Sequence, residues 1–116
     1  MSRDGLDLLP GTLDIMILKS LAGGPRHGYA ISRWIRSASD ETIGLEDRTL
    51  YVALHRLEAA GLVKGTSGVT SSGRRARAYS LTGSGRRHLA HSVARWKQYV
   101  DAMGRLLKAS LAGERA

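Results

Sequence analysis

Apolar residues recur at helical spacing in two segments near the start of the chain. The first predicted helix begins after Thr12, a suitable N-cap, and ends before the Gly-Gly-Pro sequence at 23–25. Apolar residues lie on nearly all of its sides, which is typical of a helix at the centre of a fold. A second helix is predicted over about 27–37 on the same spacing. The polar residues 39–44 connect it to the next element.

The third predicted helix has one apolar face and one polar face. It runs from about Asp47 to Ala60 and ends at Gly61, in the position where a left-handed backbone is needed. At about 100° per residue, four apolar residues gather on one side of the helix. The side chains that could contact a nucleic acid lie opposite or beside them. The inner set is Leu50, Ala53, Leu54 and Leu57, and the outer and flanking set is Arg48, Thr49, Tyr51, Val52, His55, Arg56 and Ala59. An ordinary solvated helix face is the alternative interpretation.

A two-stranded hairpin is predicted after the third helix. Residues 62–66 and 74–81 have strand character, and the Gly/Ser/Thr-rich segment 67–73 connects them. Because two strands are not stable alone in water, the hairpin must pack on the helices. Its basic arm contains Arg74, Arg75 and Arg77, and strand alternation places Arg75, Arg77 and Tyr79 on one face.

A long last helix is predicted from Thr82, its cap, to about Ala112. Six apolar residues on it are spaced 4, 3, 4, 3 and 4 apart, as in the seam of a coiled coil. These seam residues are Leu89, Val93, Trp96, Val100, Met103 and Leu107. Since a chain of this size has little left to cover the seam, we expect a second subunit to cover it, in a symmetric homodimer. Packing against the first helix is the alternative.

The basic charge of the chain is concentrated in one stretch. The 116 residues include 18 Lys and Arg against 10 Asp and Glu, a net charge of +8. Residues 59–100 contain eight Lys and Arg and no acid, so the charges elsewhere cancel. Such a block indicates a polyanionic partner, either a nucleic acid or an anionic membrane surface. A basic surface that serves only solubility is the alternative.

Several classes of protein fit the sequence poorly. With no cysteine there is no disulfide or thiolate, no apolar run approaches the roughly 18 residues of a membrane span, and the start does not resemble a signal peptide. We therefore expect a cytoplasmic protein. The four histidines form no catalytic triad, and His88 with His91 lacks a third metal ligand, so neither an enzyme, a metal nor a cofactor is expected. A basic amphipathic helix for a membrane surface is also disfavoured, because the apolar line of the last helix suits a protein partner better.

Three helices, a basic hairpin and a dimerising helix are the order of a winged helix-turn-helix protein. The predicted fold is mainly α with a small β-hairpin: a DNA-binding domain over 1–87 and a C-terminal dimerisation helix over 88–116 in one structural unit. Four stretches carry a family resemblance: 9–18 (LPGTLDIMIL), 25–31 (PRHGYAI), 49–62 (TLYVALHRLEAAGL) and 73–85 (GRRARAYSLTGSG). In this order they resemble the PadR family of winged-helix transcriptional regulators, and more narrowly the short PadR-like proteins common in Acidobacteria.

The resemblance implies a homodimeric repressor that binds a palindromic operator in double-stranded DNA through the third helix and the wing. It places Tyr51 on the DNA side and the Gly-Arg-Arg sequence at 73–75 on the wing. In some multidrug-binding relatives a tryptophan matching Trp96 holds flat aromatic ligands between subunits, so Trp96 is also a candidate site for a small aromatic effector. Dimer packing explains Trp96 equally. A nonspecific nucleic-acid-binding or architectural protein without an effector is the alternative function.

Side-chain chemistry suggests how the candidate DNA-binding residues divide. The wing arginines suit phosphates or a narrow minor groove, Thr49 and Tyr51 suit phosphate oxygens, and Arg48 or His55 can reach base edges. The chain departs from the family pattern at Glu46 and Asp47, where members often have Ser or Asn with Pro or Gly. Two acids there suit the helix dipole but repel phosphate. Ala78 also stands where an aromatic residue is frequent, and the wing lacks the usual tryptophan.

Overall fold

The computed structural model describes residues 8–9 and 11–111. Within them the chain forms four helices and three strands. Their order is α1 (Leu13–Ser20), β1 (Arg26–His27), α2 (Gly28–Ala38), α3 (Asp47–Ala59), β2 (Val63–Val69), β3 (Arg75–Leu81) and α4 (Gly83–Lys108). This arrangement confirms the predicted winged helix-turn-helix fold with a long last helix. None of the helices in the described part is long and apolar enough to cross a membrane.

The core lies between the first three helices, because each contributes one apolar face. The four inner residues predicted for α3 are all buried, and Leu50 and Leu54 are fully so. They pack with Ile17 and Leu18 of α1 and with Ile31 of α2. The predicted cap of α1 is wrong in its chemistry, because the Thr12 hydroxyl donates to the carbonyl of Leu9 at 2.7 Å and caps no helical N–H.

The end of α3 is fixed by a glycine, as predicted. Gly61 has a φ of +78°, which a residue with a side chain rarely adopts. Its N–H donates to the carbonyl of Glu58 at 3.0 Å, and the N–H of Leu62 donates to the carbonyl of Leu57 at 3.0 Å. These are the two hydrogen bonds of a Schellman motif. The motif turns the chain from α3 directly into β2, the first strand of the hairpin wing that β2 and β3 form.

The sheet has one strand more than the sequence predicted. β1 pairs antiparallel with β3, with Arg26 opposite Tyr79, so the strand order is β1-β3-β2. A strand of two residues has no periodicity to detect. β2 is longer than predicted because it extends to Val69, whereas β3 begins at Arg75, one residue later than predicted. The connection is therefore 70–74 rather than 67–73.

α4 begins against the base of the wing. The predicted Thr82 cap is confirmed, since its Oγ1 accepts a hydrogen bond from the N–H of Gly85 at 2.9 Å. The helix ends at Lys108, short of the predicted end at Ala112, a residue that lies outside the described residues. Its first turns pack on the core, where Leu89 is buried and Val93 packs beside it.

Candidate nucleic-acid interface

The outer face of α3 is exposed along its length. Arg48, Val52 and His55 lie on it, and Val52 is 63% exposed. Within the described residues Arg48 forms no ion pair, so its guanidinium is available to a ligand. An exposed valine between arginine and histidine has no role in the core, but its methyl groups can contact a thymine methyl in a major groove. Thr49 lies partly buried beside this face.

The N-terminus of α3 is acidic at its surface. Glu46 and Asp47 are exposed, and neither forms an ion pair within the part of the chain that the structure describes. The Glu46 side chain makes no capping hydrogen bond to the helix. These carboxylates repel phosphate, so this end of the helix suits the donors of base edges better than the DNA backbone.

Tyr51 is both a packing residue and an exposed one. Its ring and hydroxyl lie so close to Gly28, the first residue of α2, that any Cβ there would overlap them. The residue is nevertheless 45% exposed. Next to this contact, the exposed Tyr29 ring has the Arg33 guanidinium 5.5 Å from its centre. Tyr29 and Arg33 therefore extend the polar surface from α3 onto α2.

Arg56 is bound by an acid of another helix. Its two terminal nitrogens donate to the two carboxylate oxygens of Asp14 on α1, at 2.7 and 3.0 Å. The hydrogen bond to Asp14 raises the pKa of Arg56. This bidentate pair ties α3 to α1, and a contact between Arg56 and DNA would compete with it.

The wing carries two kinds of arginine. Arg74 and Arg75 lie exposed at its tip and form no ion pair within the described residues. Arg77 donates to Glu58 of α3 at 2.6 Å, and this hydrogen bond raises its pKa. The adjacent Tyr79 is buried, and burial raises the pKa of its hydroxyl. The sequence predicts one basic arm that contains all three arginines. The structure instead pairs Arg77 with Glu58 and leaves Arg74 and Arg75 at the tip.

The predicted seam of α4 divides into two parts. Leu89 and Val93 pack on the core of their own chain, to which α1 contributes Ile17 and Leu18, as the alternative of packing against the first helix requires. Their place in a surface for a second subunit stays a prediction. Trp96, Val100, Met103 and Leu107 remain exposed further along the helix.

A groove runs between the start of α1 and α4. Its volume is about 520 Å³, and its lining includes Thr12, Ile15, Arg95, Trp96 and Tyr99. The Trp96 and Tyr99 rings stack with centroids 6.0 Å apart and an angle of 27° between their planes. Among the described residues no cluster of three potential ligands could hold a metal ion.

The family model that matches this chain and two similar solved structures are of transcriptional regulators. A family model described as the transcriptional regulator PadR-like family matches residues 17–91. A transcriptional regulator from Clostridium thermocellum is 31% identical, with a TM-score of 0.77, over 84% of this chain and 95% of that chain. A PadR family transcriptional regulator from Eggerthella lenta is 33% identical, with a TM-score of 0.73, over 86% of this chain and 85% of that chain.

A structure with lower sequence identity to this chain contains DNA. The Bacillus subtilis PadR structure, solved in complex with operator DNA, has a TM-score of 0.66 to this chain and 21% identity. The match covers 75% of this chain and 49% of that chain. At this identity the likeness concerns the fold.

Proposed function

This chain belongs to the PadR-like family of transcriptional regulators, and from that premise we propose that it is a homodimeric repressor that binds a palindromic operator in double-stranded DNA. The observation that carries the proposal is the pairing of an exposed polar face on α3 with two arginines at the wing tip that have no acid partner within the described residues. The Bacillus subtilis PadR bound to operator DNA supports the same class of ligand.

Two surfaces of the monomer define the proposed contacts with DNA. The outer face of α3 enters the major groove, where Arg48 and His55 address base edges and Val52 addresses a thymine methyl. Arg74 and Arg75 bind phosphates or a narrow minor groove. The first surface then supplies sequence preference, and the second supplies affinity that is sensitive to salt.

The exposed apolar residues of α4 support the proposed dimer. Trp96, Val100, Met103 and Leu107 keep much of their surface exposed within one chain, at a spacing that suits a second helix. Such a contact relates two recognition helices by a two-fold axis. The corresponding half-sites lie about one helical turn, roughly 34 Å, apart.

Selection of bound fragments from the source genome tests the proposal most directly. We expect recovered fragments to share a two-fold symmetric site, and a labelled duplex containing it to bind more tightly than a scrambled duplex of the same composition. If each subunit neutralises three or four phosphates, the logarithm of affinity falls against that of salt with a slope of about −5 to −7. Equal affinity for both duplexes would instead support the nonspecific or architectural alternative.

Repression itself needs a cellular readout. A reporter under the promoter nearest the recovered site should rise when this gene is deleted and fall when it is restored. A reporter that falls on deletion would identify an activator instead.

We further propose that the groove beside α4 accepts a small planar aromatic effector. Trp96 and Tyr99 already stack there, and an additional ring can extend such a stack. The chain has two tryptophans, and Trp34 packs against the core away from this groove. Planar aromatic compounds should quench the wild-type fluorescence saturably and release DNA, while Trp96→Phe should lose the quenching. If no compound in a broad panel quenches, Trp96 serves only packing.

A further inference from the structure

One ion pair joins the wing to the recognition helix. Nη2 of Arg77 on β3 donates to Oε2 of Glu58, the residue before the last of α3, at 2.6 Å. We propose that Arg77 is a positioning residue, which with Glu58 sets the angle of the wing to the recognition helix and does not itself bind phosphate. The proposal rests on the DNA-binding function proposed above and assigns this arginine a role different from that of Arg74 and Arg75.

The register of the sheet places Arg77 on the side that faces the helices. Arg77 lies two residues before Tyr79 on β3, so both side chains leave the same face of the strand. The Tyr79 ring is buried in the core. The base of the Arg77 side chain therefore lies next to the core. Arg75 is on the same face of β3 but further out, at the tip of the wing.

A glycine on the neighbouring strand opens the path from Arg77 to Glu58. Gly65 is the partner of Tyr79 across the ladder, and a Cβ at this position would lie 2.5 Å from Nε and 2.8 Å from Nη2 of Arg77. A side chain at residue 65 would thus displace the guanidinium. At Gly68, three residues along β2, a Cβ would meet only the carbonyl of Ala76, at 3.9 Å. The two glycines form a natural pair of test position and control.

The charges at this junction also favour an internal role. The hydrogen bond that Arg77 donates to Glu58 is the largest influence raising the pKa of Arg77, so the guanidinium is paired with a charged carboxylate. A phosphate that took Arg77 would leave the Glu58 carboxylate facing a second anion. A phosphate that binds Arg74 or Arg75 displaces no carboxylate, because neither arginine forms an ion pair within the described residues.

The salt dependence of DNA binding separates a positioning residue from a phosphate ligand. The probe is a fluorescein-labelled duplex with the site recovered by genomic selection, measured by anisotropy between 50 and 300 mM salt, with a scrambled duplex as reference. The proteins are wild type, Arg77→Gln, Glu58→Gln, the exchanged double variant Glu58→Arg with Arg77→Glu, and Arg75→Gln. Gly65→Ala and its control Gly68→Ala test the path of the side chain without changing any charge.

We expect Arg77→Gln and Glu58→Gln each to weaken binding about two- to fivefold with an unchanged salt slope, since the exposed pair is worth a modest energy. The exchanged variant should recover the affinity, and Gly65→Ala should weaken binding more than Gly68→Ala. Order parameters of the wing amides, measured by ¹⁵N relaxation without DNA, should fall in Arg77→Gln and recover in the exchanged variant. Arg75→Gln should make the slope shallower by about one per subunit, or about two for the dimer.

Three results would overturn the proposal. A shallower slope in Arg77→Gln would make Arg77 a phosphate ligand. Tighter binding by Glu58→Gln would show that the carboxylate only withholds a cation from DNA. Unchanged affinity in both single variants would show that the pair does not influence the interface. Failure of the DNA-binding function is recognised separately, because wild type would then bind the selected and scrambled duplexes alike and Arg75→Gln would change nothing.

Discussion

Replacing Gly85 by alanine should destabilise the protein, against the usual rule for helices. In a helix interior alanine is more favourable than glycine by about 1 kcal/mol. Gly85, however, is buried in the first turn of α4, and a Cβ there would overlap the carbonyl oxygen of Leu62 at the base of the wing. That oxygen also accepts hydrogen bonds from the N–H and the hydroxyl of Thr82, at 3.2 and 3.1 Å.

The magnitude follows from these contacts. Overpacking against a backbone costs about 1–3 kcal/mol, and weakening the two hydrogen bonds without breaking them costs about 1 kcal/mol in total. After subtraction of the gain in helix propensity, Gly85→Ala should lower the free energy of unfolding by about 2 kcal/mol. Gly104 provides a control on the same helix, because a Cβ there meets no atom of the described residues within 4 Å apart from its own stretch of helix. Gly104→Ala should raise the free energy of unfolding by up to about 1 kcal/mol.

Urea denaturation followed by circular dichroism, at one fixed protein concentration, measures both effects. The two variants should differ by about 3 kcal/mol and shift the midpoint in opposite directions. If Gly85→Ala were as stable as wild type, the close approach of α4 to Leu62 would be absent in solution. If Gly104→Ala were destabilised instead, the space beside Gly104 would be filled by something other than this chain, and dilution would show whether a second subunit fills it.

Three further changes have defined outcomes. Uracil in place of the thymine that contacts Val52 should weaken binding about fourfold, since one buried methyl group is worth about 0.8 kcal/mol; this loss should vanish in Val52→Ala. The double variant Arg74→Gln, Arg75→Gln should weaken binding to all duplexes alike and make the salt slope shallower by about two per subunit. Because burial raises the pKa of Tyr79 above its ordinary value of 10.0, the folded state favours the protonated phenol, and stability should fall as pH rises above 10. In Tyr79→Phe the free energy of unfolding, measured by urea at pH 9 to 11, should fall less steeply.

Local chemistry made parts of the fold predictable. Gly61 was identifiable because a helix that ends in a left-handed residue favours glycine, and Thr82 because a hydroxyl before a helix accepts from a free N–H. The inner face of α3 followed from helical spacing alone. In each case the residues that decide the structure are neighbours in sequence.

Long-range pairing made other parts unpredictable. Asp14 and Arg56 are 42 residues apart, and Glu58 and Arg77 are 19 apart, so nothing local distinguishes these arginines from Arg75. β1 escaped prediction for a related reason, since its two residues form a strand only because β3 lies beside them. The tertiary fold therefore decides which cations of the candidate site remain available to a ligand.

The ion pairs change the meaning of the acid-free stretch between residues 59 and 100. Arg77 is held by Glu58, which lies just outside that stretch, so the available charge of the wing is concentrated at its tip. α3 has the opposite character at its start, where the exposed Glu46 and Asp47 form no ion pair among the described residues. Placing an acidic helix N-terminus against the phosphate backbone costs electrostatic free energy, because the carboxylates repel the phosphates. The cost is smallest when this N-terminus points at base edges. Under the proposed function, the wing tip attracts any duplex and the acidic start of α3 penalises shallow docking, so attraction and discrimination would come from separate elements.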